Sequence, residues 1–289
     1  MTENAKTQPH DQTQTDDKTI LLIGGTGKTG RRVADRLTAR GRSVRLGSRS
    51  ADPAFDWEDR ATWAGALDGI DAVYVTYYPD LAAPGAPDAI RALSDQAVAS
   101  GVRQLVLLSG RGEPEALRCE DIVQRYPVDW TIVRSSMFSQ NFDEYFLLDA
   151  VLSGVVAFPA GSTPEAFIDV DDIADVVTTA LTEDGHSGQV YEVTGPRLLT
   201  FDEAVGEIAT ASGREIQYVP ITPDEYAAGA AEAGVPAEFA TFLGHLFGTI
   251  FDGRNVYVAD GVQRALGRPP RDFSDYVRRA AATGVWSAS

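Results

Sequence analysis

Lysine is nearly missing from this chain. Of 25 cationic residues in 289, only Lys6, Lys18 and Lys28 are lysines, and every positive side chain from residue 29 onward is arginine. Lysine chemistry is therefore excluded beyond residue 28. Cysteine is just as scarce. Cys119 alone cannot build a disulfide framework, and His10, His186 and His245 are too far apart for a zinc-ligand spacing, so no metal is expected. Apolar runs of about 18 residues are absent, so no membrane span is expected. Positive charge is in deficit as well: 42 acidic residues leave a formal net charge of −17. Nucleic acid and anionic membranes repel such a chain unless a basic face is segregated, and these arginines are scattered.

What is present is ordinary globular composition, 44% hydrophobic and 23% charged, enough for one large domain or a domain and a half. The first 17 residues (MTENAKTQPHDQTQTDD) are polar and lack the apolar stretch of a secretory signal. They cannot bury enough surface to offset their ordering entropy, so a disordered tail is expected, on a cytoplasmic protein.

Beyond it, short apolar runs alternate with helical patterns. Residues 18–23 (KTILLI), 43–47, 72–77 (AVYVTY), 104–108 (QLVLL) and 130–134 (WTIVR) read as strands. Between them, residues 29–40, 61–67, 87–100 and 113–126 read as helices. A repeat of about 25 to 30 residues per unit predicts an α/β fold with a doubly wound, Rossmann-type parallel sheet. After residue 136 the rhythm changes. A Gly/Pro loop at 158–164, a helix at 171–181 and a late strand at 190–194 precede helices at 201–212, 223–233 and 236–251. The expected division is a dinucleotide-binding domain over 18–150, with elements from about 166–194 returning to it. Residues 195–289 with about 151–165 would form a smaller substrate lobe.

The segment IGGTGKTGR holds two glycine templates: Gly25, Gly27 and Gly30 fit G-x-G-x-x-G, and Gly24, Gly27 and Gly30 fit G-x-x-G-x-x-G. Glycine is needed where the backbone turns tightly and approaches a diphosphate at a helix N-terminus. Here the motif follows an apolar strand and opens an amphipathic helix, which is its required context. The GKT within it is not a P-loop, because residue 22, where that spacing needs glycine, is leucine. Lys28 is then expected to support a phosphate or face solvent. At the end of the second strand, an NAD enzyme usually carries an acid about 20 residues after the glycines. This chain has Gly47-Ser48-Arg49-Ser50 there instead. A guanidinium flanked by hydroxyls suits a 2′-phosphate, so NADP(H) is the expected cofactor.

No tyrosine has a lysine four residues later, so the proton-donating pair of short-chain carbonyl reductases is missing. Ser109 lacks the glycine two residues before it that a nucleophile elbow requires. His245, in FLGHLFG, reads as packed or pocket-lining rather than as a base. Asp169, Asp171 and Asp172 read as the acidic start of a helix.

The runs ILLIGGTGKTG, LVLLSG, DWTIVRSSMFSQNF, FIDVDDIADV and YEVTGPRLLTFDEAV resemble the NmrA-like, atypical short-chain dehydrogenase/reductase family over residues 19 to about 285. GGTGKTG, FDWEDRATW, GPRLLTFDEA and RNVYVADGVQRALGRPPRDFSDYV look closest to the branch of ergot-alkaloid reductases typified by festuclavine synthase and agroclavine dehydrogenase. That branch uses NADPH to reduce a cyclic iminium and also lacks the Tyr/Lys pair. The resemblance implies that Gly24, Gly25, Thr26, Gly27, Lys28, Thr29 and Gly30 hold the diphosphate. Ser48 and Arg49 would take the 2′-phosphate, Asp56 and Trp57 would flank adenine, and Thr76 and Tyr77 would lie near the nicotinamide ribose with Tyr78. Ser109, Gly110 and Arg111 would face the reacting centre, making Ser109, Arg111 and Tyr78 the catalytic candidates. Phe138 and Asn141 would border the substrate, with Phe158, Phe247 and Phe251 as its outer wall or as core. Arg111 points to a substrate acid or carbonyl.

The function these features imply is NADPH-dependent reduction of an activated small molecule (iminium or imine, enone or quinone-like) by direct hydride transfer, possible in a homodimer. The alternative is an NADP(H)-binding redox sensor that acts through a protein partner, as some NmrA-like proteins do. An enclosed pocket beside the nicotinamide would favour the enzyme, and an exposed partner surface the sensor.

Overall fold

The computed structural model describes residues 18–287, so the expected tail over 1–17 lies outside the described residues. Strands β1 (Thr19–Ile23), β2 (Ser43–Gly47), β3 (Ala72–Val75), β4 (Gln104–Gly110), β5 (Asp129–Ser135), β6 (Val155–Phe158), β7 (Gln189–Val193) and β8 (Gln217–Pro220) alternate with twelve helices. These are α1 (Lys28–Ala39), α2 (Trp63–Leu67), α3 (Ala86–Ala99), α4 (Pro114–Val123), α5 (Asn141–Glu144), α6 (Leu148–Ser153), α7 (Val170–Thr182), α8 (Phe201–Ser212), α9 (Pro223–Glu232), α10 (Ala237–Ile250), α11 (Gly261–Leu266) and α12 (Phe273–Ala282). None of the described helices is long and apolar enough to cross a membrane.

Six strands form one parallel sheet in the order β2-β1-β3-β4-β5-β7. The order reverses between β1 and β3, so a crevice opens beyond their carboxyl ends, where ligands of such sheets bind. The fold is the expected Rossmann-type α/β architecture. The central strands are apolar throughout because helices cover both sheet faces: Ile20–Ile23 and Ala72–Val75 are buried without alternation. Helix α7 packs on α1, and β7 closes the sheet beside β5.

Sequence patterns missed two elements that form a second, small sheet. Strands β6 and β8 pair in parallel with each other alone. Above them, Phe158, Phe201, Phe247 and Phe251 build an aromatic core with Phe142, Phe167 and Trp286. Helix α11 packs instead on α7 and β7.

The arginines are put to structural use. Arg36 of α1 pairs with Asp171 (2.8 Å) and Asp175 (2.6 Å) of α7. Asp175 and the fully buried Asp172 are also held by Arg268 and Arg271, and Asp169 by Arg279 of α12. Asp169 also caps α7 by accepting from the Asp171 N–H, as expected of an acidic helix start. Together these pairs tie α1, α7 and the segment 268–279 into one lattice.

Candidate cofactor and substrate cavity

The glycine turn is shaped by what its neighbours forbid. The Gly25 N–H donates to the Leu22 carbonyl (3.0 Å) and the Gly27 N–H to the Gly24 carbonyl (2.9 Å). Gly24 has φ +74, and a Cβ there would lie 2.1 Å from Thr76 Oγ1. A Cβ on Gly30 would fall 2.2 Å from the Gly24 carbonyl oxygen. Helix α1 therefore starts hard against the turn. Its N-cap, Gly27, makes no side-chain cap, and its first turn holds no acid, so its N-terminal N–H groups and positive dipole end are free for an anion. Thr76 fastens the neighbouring strand end by donating to the Ile23 carbonyl (2.9 Å). These residues fit a dinucleotide diphosphate.

A cavity of about 440 Å³ runs from this turn across the ends of β3, β4 and β5 to α9 and α10. It brings together Gly24, Gly27, Lys28, Thr29, Thr76, Tyr77, Tyr78, Ser109, Gly110, Arg111, Phe138, Asn141 and Phe247 from the sequence-predicted set. Its outer wall includes Tyr145, Phe146, Tyr226, Phe239 and Phe242, which the sequence reading did not single out. Ser48, Arg49, Asp56 and Trp57 lie outside it, past the end of β2. Arg49 is exposed and makes no ion pair among the described residues, while the Ser48 and Ser50 hydroxyls lie 3.3 Å apart. Trp57 is half-buried, edge-on to Tyr77 (4.8 Å), and its indole N–H donates to the Thr76 carbonyl (3.2 Å).

Lys28 points into the cavity. Its ammonium donates to Asn141 Oδ1 (2.8 Å) and sits 3.8 Å from the centre of the Tyr145 ring. Burial pulls its pKa down to about 8, against the opposing pull of Glu144.

Several expected roles need correction. Arg111 is no free cation: it is 3% exposed, with Nε 3.0 Å from Glu192 and Nη1 3.5 Å from Glu165. Its Nη2 donates to the carbonyls of Asn255 and Tyr257. It balances buried carboxylates and ties the end of β4 to residues 255–257. Burial pushes the Glu165 carboxyl up to about 7, Arg111 pulling the other way. The Ser109 hydroxyl is spent on Glu120 (2.6 Å), which also holds Arg134. The Thr29 hydroxyl accepts from Tyr74 (3.0 Å), which leaves its own O–H and its backbone N–H to donate to a phosphate. Phe158 and Phe251 do not line the cavity; both are buried in the aromatic core behind Phe247. His245 is exposed and lines nothing.

The cavity also holds a pair that sequence reasoning passed over, Asp80 and Glu113. They come from the loop after β3 and from the residue preceding α4, within hydrogen-bonding reach of each other. Burial pushes both carboxyls up, Glu113 well above the usual range, where Asp80 adds its repulsion.

Comparison with known proteins places the chain in a family. The NAD(P)H-binding family matches residues 24–184, more than half of the chain. The chain belongs to this family. Among relatives, an oxidoreductase of Bacillus subtilis, YesF, is 31% identical over 93% of this chain and 98% of its own. Agroclavine dehydrogenase of Claviceps fusiformis is 32% identical, covering 90% and 96%, in line with the resemblance stated above. NAD(P)H azoreductase of Xenophilus azovorans is 30% identical, covering 91% and 98%. Among solved structures, the Escherichia coli NADPH-dependent quinone oxidoreductase QOR2 in complex with NADPH superposes with a TM-score of 0.72 at 20% identity, over 90% of this chain and 99% of that one. This member of the NAD(P)H-binding family is an oxidoreductase with NAD(P)H as its cofactor.

Proposed function

We propose that the protein is an NADPH-dependent reductase of a flat, conjugated small molecule, iminium or imine, enone or quinone-like, acting by direct hydride transfer without a Tyr/Lys pair. The observation that carries this is the single cavity that joins the glycine turn to an aromatic wall. The turn end suits a diphosphate, and the wall of Phe138, Tyr226, Phe239, Phe242 and Phe247 suits a planar acceptor. Holding the two reactants in contact is itself worth several kcal/mol, about 7–11 at best, for an acceptor already activated. Two relatives are named for redox activities, an NAD(P)H azoreductase and an agroclavine dehydrogenase, which supports a small-molecule substrate. The test is NADPH oxidation by the purified protein with imine, enone, azo and quinone panels. Tight NADPH binding with no turnover on any of them would overturn the reading.

In this reading NADPH supplies the hydride, Gly24–Gly30 hold its diphosphate, and Arg49 with Ser48 takes the 2′-phosphate. Arg49→Ala is then expected to weaken NADPH binding by about 1.5–3 kcal/mol, the worth of a hydrogen bond to a charged group, and to leave NADH binding nearly unchanged. Calorimetric titration with both cofactors decides it, and an equal loss for the two would remove Arg49 from the site.

Lys28 gives a pH prediction. Its free ammonium deprotonates near 8, and a bound diphosphate favours the protonated form. NADPH affinity should therefore fall as pH rises through 8, by at most about tenfold per unit, while Lys28→Gln flattens that slope. A wild-type affinity that is constant from neutral to alkaline pH would place Lys28 away from the phosphates.

A further inference from the structure

Asp80 and Glu113 occupy the cavity without an evident structural duty. Glu113 precedes α4 but makes no cap to it, and it is 6% exposed. Its Oε2 meets no donor among the described residues. The carboxylates of buried Glu113 and half-buried Asp80 repel each other within hydrogen-bonding reach, which favours one proton held between them. Their surroundings say where it sits. Asp80 Oδ1 accepts from the Ala82 N–H (2.8 Å), which favours its ionised form. Glu113 receives no such donor, so Glu113 holds the proton.

The neighbours reinforce this. Around the pair stand Tyr145 from the segment between α5 and α6, and Glu115 and Cys119 from α4, all neutral or anionic; burial and the nearby acids push the Cys119 thiol up to about 12. The nearby cations are committed elsewhere: Arg111 to Glu165 and Glu192, Lys28 to Asn141, and Arg254 to Asp252 and the Gly112 carbonyl. Gly110 ends β4 directly beside Glu113. A Cβ there would lie 2.5 Å from Glu113 Oε1, so a side chain at 110 would push the carboxyl out of this position at the cavity wall.

We propose that Glu113, with Asp80 as its positioning partner, delivers the proton that completes the reduction, and that the acceptor is one that becomes an anion on receiving hydride: an enone, a quinone or an azo compound. This rests on the reductase reading above and narrows it, since an iminium is neutralised by hydride and needs no proton. The bound cofactor would supply the hydride for the new C–H or N–H bond. The acceptor's π electrons move to its far atom, usually oxygen or nitrogen. That atom takes the Glu113 proton as the Glu113 O–H bond breaks. Glu113 is left ionised beside Asp80, and their repulsion draws a proton from water. Per turnover, one NADPH is oxidised, one acceptor is reduced by two electrons, and one proton is consumed.

The test uses the full chain and three readouts. In Glu113→Gln, quinone or enone turnover should fall by about a hundredfold, the usual worth of a positioned acid, while NADPH affinity stays unchanged. Infrared difference spectra at neutral pH should show a protonated carboxylic acid band in the wild type that Glu113→Gln removes. Asp80→Asn, whose amide can donate to ionised Glu113, should move the alkaline limb of the kcat profile to lower pH. Unchanged turnover in Glu113→Gln with NADPH still bound, or no acid band lost, would overturn the proposal. If the wild type reduces none of the acceptors while the band is present, the reductase reading fails, and the donor role fails with it. The band then still separates that failure from an unprotonated pair.

Discussion

Replacing Arg111 with methionine is expected to lower folding stability by about 3–5 kcal/mol, the usual consequence of removing one partner from a buried ion pair. Methionine fills much of the space but leaves the buried Glu165 without its cation and Glu192 with Arg134 alone (3.3 Å). It also removes the two bonds to the carbonyls of residues 255 and 257. The loss should depend on pH. The Glu165 carboxyl is held above its unfolded value already, near 7. Its share of stability is therefore present below about 4.5 and lost as pH rises through 7. Without Arg111 the folded value climbs further, so the variant should be weakest in alkaline buffer and recover in mild acid. Denaturant unfolding at several pH values measures this. A variant within about 1 kcal/mol of the wild type, but with a raised KM, would return Arg111 to the substrate-reading role its sequence position implied.

Gly30→Val should be the most damaging single change in the glycine turn. Even the first carbon of a side chain would sit 2.2 Å from the Gly24 carbonyl oxygen and 2.7 Å from Gly25 Cα, both backbone atoms that cannot swing aside. Helix α1 must then lift off the turn that is meant to receive the diphosphate. We expect about 1–3 kcal/mol of lost stability from overpacking, and NADPH affinity lowered by more than about a hundredfold, a further 2.7 kcal/mol or so. Gly206 offers the contrast. It lies inside α8 with nothing near its missing Cβ. Alanine there should stabilise by about 0.5–1 kcal/mol and leave cofactor binding untouched. Thermal melts and calorimetric titration of the two variants side by side check both halves.

The legible part of this protein is the part whose signal is local. Ile20–Ile23 and Ala72–Val75 are buried on both faces, so they read as unbroken apolar runs, and glycines mark where the chain turns after them. Strands β6 and β8 escaped because each has four residues and pairs only with the other, far along the chain. Partnerships of charge were the least readable. Nothing near Arg111 in sequence announces Glu165 or Glu192, so it looked like a cation free for substrate. Asp80 and Glu113 gave no motif either, because one sits in a loop and the other read as the first residue of a helix. Phe251 stands one helical turn from Phe247 and Phe158 ends a distant strand, and only packing separates the one that reaches the cavity from the two behind it.

The lattice of ion pairs around α7 has a consequence for how the protein comes into being. Helix α1, which follows the glycine turn, leaves the ribosome well before Arg268 and Arg271 do. Yet Arg36 of that helix shares Asp175 with Arg268 and Arg271, and the buried Asp172 has its arginines only there. During vectorial synthesis Asp172 waits for cations that emerge some hundred residues later, while Asp175 already has Arg36. A nascent chain can assemble its sheet first, and the lattice on α1 and α7 closes only once Arg268 and Arg271 have emerged. Those two arginines thus act as a completion signal for α1.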